Sequence, residues 1–280
     1  RLVSRVPVAA GLPLLVVRHA GGEREGDCAD ERGGVEVIKP YYSADGITVY
    51  HARFEDVLAA GLVPVPEVAL IHADPPYGIN YKPVGTSETA GSRRRTALKS
   101  GSRIRHFPPC TGDDKPFDPA AVLALARPTV LWGANHYASR LPDSPAWLLW
   151  DKSPTFEPID AADGESAWTN LRGVLRIFRH HWRGALRASE QEDRHLHPTQ
   201  KPVALCAWVY ARAKLEPGAL VFVPFLGSGP DLPAARAMGL RVIACDVERW
   251  CCRTAVARLG AAPHPEPVEK LGPLFAKGAA

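Results

Sequence analysis

The residues best equipped for chemistry are Asp74-Pro75-Pro76-Tyr77, which close the apolar run Val68-Ala69-Leu70-Ile71-His72-Ala73. Asp74 offers carboxylate oxygens that accept hydrogen bonds from an amino group. The two prolines fix the backbone, and Pro75, lacking an N–H, leaves its carbonyl free to point at a ligand. Tyr77 supplies a ring that stacks on a planar partner. Together these groups suit the capture of a flat heterocycle bearing an exocyclic amine. The plainer reading of the same four residues is a strand-ending turn with a buried tyrosine.

A second set is Phe225-Leu226-Gly227-Ser228-Gly229, which follows the apolar Leu220-Val221-Phe222-Val223 and opens a helical stretch. Its glycines let backbone approach a ligand closely, and a helix start presents unpaired N–H groups. Beyond the next apolar stretch stands Asp246, where a carboxylate accepts both hydroxyls of a ribose. Strand, G-x-G, helix, strand and acid in that order predict a nucleoside cofactor. A dinucleotide such as NAD fits less well, because Leu232 and then Pro233 stand where the third glycine of G-x-G-x-x-G belongs. Ligands of open α/β sheets gather at the carboxyl ends of the strands. If the two strands are neighbours, the two pockets adjoin.

The net charge of +4 is modest, but its distribution is uneven. Arg93, Arg94, Arg95, Lys99, Arg103 and Arg105 lie together without an acid among them, and Arg172, Arg176, Arg179, Arg183 and Arg187 form a second basic stretch beside His180 and His181. Such clusters point to a polyanionic partner whose affinity falls with salt; a solvated basic face is the alternative. The six cysteines (Cys28, Cys110, Cys206, Cys245, Cys251 and Cys252) form no C-x-x-C pair, which predicts reduced, mostly buried thiols and no metal site. No apolar run approaches the roughly 20 residues needed to span a membrane. The N-terminal stretch, broken by Gly11 and Pro13, does not read as a signal peptide, so a cytoplasmic location is expected.

These groups need a scaffold, and 280 residues with 46% hydrophobic content suffice for one large domain. Strands are expected at 46–50, 68–73, 129–132, 146–150, 174–178, 219–224 and 241–245. Helices are expected at 54–60, 119–126, 135–141, 203–214, 231–238 and 250–259. This alternation predicts an α/β fold with a largely parallel, doubly wound sheet. Residues 78–117 and 153–166 read as long loops, and 1–34 as an appendage.

The chain resembles the S-adenosylmethionine-dependent amino-methyltransferases of DNA, in the permuted group where D-P-P-Y precedes the glycine loop. His197-Pro198-Thr199-Gln200-Lys201-Pro202, just before the cofactor strand, strengthens the likeness. So do Leu131-Trp132-Gly133-Ala134-Asn135-His136-Tyr137, Trp147-Leu148-Leu149-Trp150-Asp151-Lys152 and Ala167-Trp168-Thr169, which are similar to phage-type adenine methylases. The resemblance covers roughly residues 46–260. It implies a Rossmann-like methyltransferase domain over 35–262, with 78–117 and 153–195 as DNA-contacting insertions and 263–280 as a Pro-rich tail. The implied partner is double-stranded DNA, with room for a homodimer and a restriction-modification setting in a bacterium or phage, near the nucleoid.

By the same resemblance, Asp74 and the Pro75 carbonyl hold the target amine, with Pro76 in the turn and Tyr77 stacked on a flipped base. Phe225, Gly227, Ser228 and Gly229 shape the cofactor pocket, Asp246 binds the ribose, and Thr199 and Lys201 sit near the methionine end. Arg93, Arg94, Arg95, Lys99, Arg103 and Arg105 contact DNA, while His136 and Trp150 are structural. Adenine N6 is the expected target. Cytosine N4 is one alternative; a non-catalytic DNA-binding relative with a decayed cofactor loop is another. The chain departs from the family pattern where Ala52-Arg53 replaces Gly-Asp, Val223 replaces Asp before Pro224-Phe225, and Pro230 replaces Thr.

Overall fold

The computed structural model describes residues 37–81, 107–154, 162–183, 186–191 and 196–261. The expected appendage and tail, Cys28, and the whole cluster of Arg93, Arg94, Arg95, Lys99, Arg103 and Arg105 lie outside the described residues.

Among the described residues, nine strands form one sheet: β1 (Pro40–Ala44), β2 (Ile47–His51), β3 (Val68–Ala73), β4 (Thr129–Trp132), β5 (Trp147–Asp151), β6 (Gly164–Thr169), β7 (Arg176–Arg179), β10 (Leu220–Val223) and β11 (Arg241–Asp246). Two short strands, β8 (Trp182–Arg183) and β9 (Leu186–Arg187), pair as a separate hairpin. The order across the large sheet is β1-β2-β11-β10-β3-β4-β6-β5-β7. β2, β11, β10, β3 and β4 are mutually parallel, while β1 and β6 run against their neighbours. Strands covered on both faces carry continuous apolar runs. Accordingly all four residues of β4 and of β10 are buried, as are all but one in β3.

The described helices that cover the sheet are α1 (Phe54–Ala59), α2 (Ala120–Leu123), α3 (Val203–Arg212), α4 (Asp231–Ala237) and α5 (Arg249–Ala261). α3, α4 and α5 pack on one face around Leu205, Val209, Leu232 and Ala255. α1 and α2 pack on the other around Phe54, Val57 and Val122. The crossover from β10 to β11 runs one way over the first face. The crossover from β3 to β4 runs the opposite way over the second. β10 and β3 are therefore the switch point of a doubly wound, Rossmann-like sheet, where ligands of such folds settle. No helix of the described residues is long and apolar enough to cross a membrane.

Three expectations need correction. Residues 135–141 form two 3-10 turns, Ala134–His136 and Ala138–Arg140, because Gly133 enters the left-handed region and the turns wrap onto Tyr77 and Trp132. The helix expected over 119–126 covers only Ala120–Leu123, since Ala126 is left-handed and Pro128 follows. The loop expected over 153–166 gives way to β6 at Gly164. A polar Glu165-Ser166 start is tolerated in this strand because two lysines neutralise Glu165.

Candidate active site

Asp74 follows β3, Phe225 follows β10 and Asp246 ends β11. These three parallel strands are adjacent, so their carboxyl ends share one rim of the sheet. The segment from Phe107 crosses that rim. Its Cys110 thiol is pushed up to about 11 by burial and by the negative charges of Asp113, Asp74 and Asp246. Cys110 therefore feels both carboxylates, the one expected to hold an amine and the one expected to hold a ribose. Thr111 Oγ1 donates to Glu248 Oε1 at 2.5 Å, which fastens the segment beside Asp246. Buried Asp113 accepts the N–H groups of Gly78, Ile79 and Tyr81 at 2.9, 3.3 and 2.6 Å, which shapes the turn after D-P-P-Y.

Around Asp74 the side chains form an alternating charge network. The Tyr77 hydroxyl donates to Asp74 Oδ1 at 2.7 Å. Lys201, 5% exposed, ion-pairs through Nζ with Asp74 Oδ2. The same ammonium reaches Glu165 Oε2 at 3.0 Å and Tyr77 Oη at 3.1 Å. Lys152 pairs with the other oxygen of Glu165. Burial opposes ionisation of Glu165, but Lys201 and Lys152 outweigh it and hold its carboxyl at about 2. Burial likewise opposes charge on Lys201, yet Asp74 and Glu165 raise its ammonium above the ordinary lysine range. Burial, then Asp74 and Glu165, pushes the Tyr77 phenol well above its usual value, so the phenol stays a donor.

The Tyr77 ring stacks on His136, with centroids 5.2 Å apart and an interplanar angle of 16°. His136, read from the sequence as structural, is thus part of the wall of this pocket. Only glycine fits at 133. Its φ is +68°, and an added Cβ would be driven into the Tyr77 ring, well inside van der Waals contact.

A buried chain of hydrogen bonds backs the pocket. Trp132 Nε1 donates to His72 Nε2 at 2.8 Å, and His72 Nδ1 meets Asp231 Oδ1 at 2.5 Å. With Nε2 accepting, the proton of a neutral imidazole sits on Nδ1 and is donated to Asp231. Tyr210 donates to the same oxygen at 2.5 Å. Burial works against the Asp231 charge, and the bonds from His72 and Tyr210 hold its carboxyl below the ordinary range. Cys206 lies beside His72 and Asp231 with metal-ligand spacing. However, a protonated Nδ1 offers no lone pair to a cation. The Lys201 ammonium lies 5.8 Å from the Trp132 ring centroid, which ties this chain to the pocket above it.

The side around Asp246 and the glycine loop is held partly by backbone N–H groups. Asp246 accepts Gly227 N–H on Oδ2 and Glu248 N–H on Oδ1, both at 2.8 Å. Burial raises its carboxyl, and those two bonds partly offset the rise. Phe225 meets Phe54 and Phe117 edge-on, with centroids 5.2 and 5.6 Å away. Gly229 has φ +65° and sits so close to α5 that a Cβ would collide with Ala255. Ser228 is buried, and its carbonyl and Oγ each accept Arg258 Nη1 at 3.1 Å. Arg258 Nη2 bonds Glu190 Oε2 at 2.6 Å, and Glu190 Oε1 accepts Val203 N–H at the start of α3, also at 2.6 Å. Sequence reading missed this Arg258–Glu190 brace, as it missed Glu165, Lys152, His72 and Asp231.

The H-P-T-Q-K-P segment joins the two halves. His197 stacks on Trp250 of α5 at 5.1 Å, while Lys201 enters the Asp74 pocket. Thr199 is exposed and folds back so that its N–H meets His197 Nδ1 at 3.2 Å. The three departures from the family pattern are also placed. Val223 is buried in β10, Pro230 precedes α4, and the exposed Arg53 bonds Glu55 at 3.2 Å without capping α1.

Fold and rim together define a doubly wound α/β protein with an acid-aromatic cluster and a glycine loop at the ends of neighbouring strands. No protein-family model matches the sequence. Among solved structures, the chain is similar to the crystal structure of the M1.HpyAVI–SAM complex, at 19% identity and a TM-score of 0.44, covering 76% of this chain and 100% of that one. It is also similar to TTHA0409, a putative DNA modification methylase from Thermus thermophilus, at 16% identity and a TM-score of 0.40, covering 76% and 93%. A third likeness is to the PvuII DNA methyltransferase (cytosine-N4-specific), at 14% identity and a TM-score of 0.49, covering 78% and 88%.

Proposed function

We propose that this chain transfers a methyl group from S-adenosylmethionine to the exocyclic N6 of adenine in DNA. The observation that carries the reading is the adjacency of Asp74 and the Phe225–Gly229 loop across the paired strands β3 and β10. S-adenosylmethionine fits the residues present. Asp246 offers carboxylate oxygens for ribose hydroxyls, Phe225 an aromatic edge, and Gly227 and Gly229 a backbone free of side chains. When bound, the cofactor supplies an electrophilic methyl on a sulfonium, which needs no metal to react.

The chain's own residues prepare the nucleophile. The amine's lone pair is delocalised into the base, so it attacks poorly. N–H bonds to Asp74 and the Pro75 carbonyl favour a tetrahedral nitrogen, and holding it in line with the methyl supplies much of the acceleration. A base inside a duplex cannot reach this rim and has to be extruded, with Tyr77 offering its ring. Arg172, Arg176 and Arg179 are exposed along β7 and its approach, where they suit phosphate contacts. Arg179 lies at the same end of the sheet as the site, since β5 and β7 are parallel.

The decisive measurement is methyl incorporation from labelled cofactor into unmethylated DNA, followed by digestion to nucleosides. N6-methyladenine is expected; N4-methylcytosine would reassign the base. Asp74→Ala should lower the rate by about a thousandfold with cofactor affinity little changed. Full activity in that variant refutes the assignment.

A further inference from the structure

We propose that Glu165 is a positioning residue that draws the Lys201 ammonium away from Asp74 when the target amine arrives, so that Lys201 works as a two-position latch on the target pocket. This rests on the methyl-transfer reading above. In the structure both oxygens of Asp74 are already engaged, Oδ1 by the Tyr77 hydroxyl and Oδ2 by Lys201. Each oxygen can accept a further donor, but the amine then competes with the Lys201 ammonium for the Asp74 charge. Lys201 has three N–H donors, and all have acceptors here: Asp74, Glu165 and the Tyr77 oxygen. A buried ammonium that loses its only anion is strongly penalised. Glu165 removes that penalty, because its Oε2 is already 3.0 Å from Nζ. The ammonium can release Asp74 by a small torsional shift and remain paired.

Lys152 sets the balance of the latch. It occupies the other oxygen of Glu165, so Glu165 shares two cations and pulls less on Lys201. β6 fixes Glu165 in place through its pairing with Trp150. The four charges cancel, which keeps the pocket neutral whichever acid Lys201 favours.

The two flanking residues therefore have opposite effects. Glu165→Gln leaves Lys201 with Asp74 alone and tightens the latch. Lys152→Met leaves Glu165 with Lys201 alone and loosens it. With unmethylated DNA and saturating S-adenosylmethionine, Glu165→Gln should raise the KM for DNA by about tenfold, and Lys152→Met should lower it by about threefold. Cofactor affinity by calorimetry should change little in either variant. A purely structural role would impair both variants alike, so KM shifts of the same sign, or none in either, overturn the latch. Crystal structures of the two variants supply a readout independent of turnover. Nζ should approach Glu165 in Lys152→Met and Asp74 in Glu165→Gln, and an unmoved Nζ in both overturns the proposal. If the wild type methylates nothing, the functional reading fails, while the position of Nζ still judges the latch.

Discussion

The two halves of the rim are organised by different physics. Around Asp74, four charged side chains and a phenol hold one another in place, drawn from three separate stretches of the chain, 74–77, 152–165 and Lys201. Around Asp246, the contacts are backbone N–H groups of Gly227 and Glu248, and the side-chain brace of Arg258 and Glu190 lies one layer behind. A pocket wired by charges can change state when one partner arrives. A pocket made of backbone is fixed once the strands and the loop are formed. In the proposed reaction, the contrast suits a target that has to be admitted and positioned, beside a cofactor that only has to be held.

The contrast breaks most severely at the brace. Arg258→Met removes the cation paired with the buried Glu190 carboxylate and should cost about 3–5 kcal/mol of stability, measured by urea unfolding. Cofactor affinity should fall with it, since Ser228 loses its donor; an unchanged affinity would show that the loop holds its shape unaided. Gly133→Ala strikes the target side by pushing a methyl into the Tyr77 ring at a left-handed position. It should cost roughly 2–4 kcal/mol and reduce methylation more than cofactor binding. Equal losses in the two assays would argue that the halves are not separable.

Acid provides a gentler probe. The Glu165 carboxyl is held at about 2, below its unfolded value near 4.3. The unfolded chain binds the extra proton between those values, so the stabilisation is present above about pH 4.3 and disappears as pH falls towards 2. The stability gap between wild type and Glu165→Gln should therefore narrow over that window; a constant gap would place the depression elsewhere. The smallest effect is expected from Tyr77→Phe, which keeps the ring and loses one hydroxyl bond. It should lower kcat by roughly fivefold, about 1 kcal/mol, against a much larger loss for Tyr77→Ala. Matching losses in the two variants would count against stacking.

The rim was legible in the sequence wherever apolar runs and punctuation coincide. β3 ends at Pro75-Pro76, β10 ends at Pro224 with glycines following, and β11 ends at Asp246; these local signals put Asp74, Phe225 and Asp246 at strand ends, where the fold has them. Glu165 was hidden because an acid at the start of a strand looks like loop until Lys152 and Lys201 are known to meet it. Asp231 opens the helix expected over 231–238, and nothing local signals its pairing with His72 from a strand far earlier in the chain. Arg258 falls in the helix expected over 250–259, and its partner Glu190 is equally remote in sequence. Pairwise electrostatics between distant segments leaves no periodic trace in either partner. Lys201 was singled out, but its place on Asp74 rather than simply at the cofactor's end emerged only from the fold.

One feature of the sheet bears on how the molecule is made. β2 and β3 are consecutive strands, yet β11 and β10, from the far end of the described chain, lie between them. During synthesis the earlier strands emerge with a two-strand gap that nothing yet made can fill. The sheet becomes continuous only after residue 246 has left the ribosome, so the Asp246 side is completed after every residue of the Asp74 network has been made. Such long-range closure is intrinsically slow. A nascent chain stopped short of β11 would expose two raw strand edges and would be a target for chaperones and proteases rather than a partly working protein.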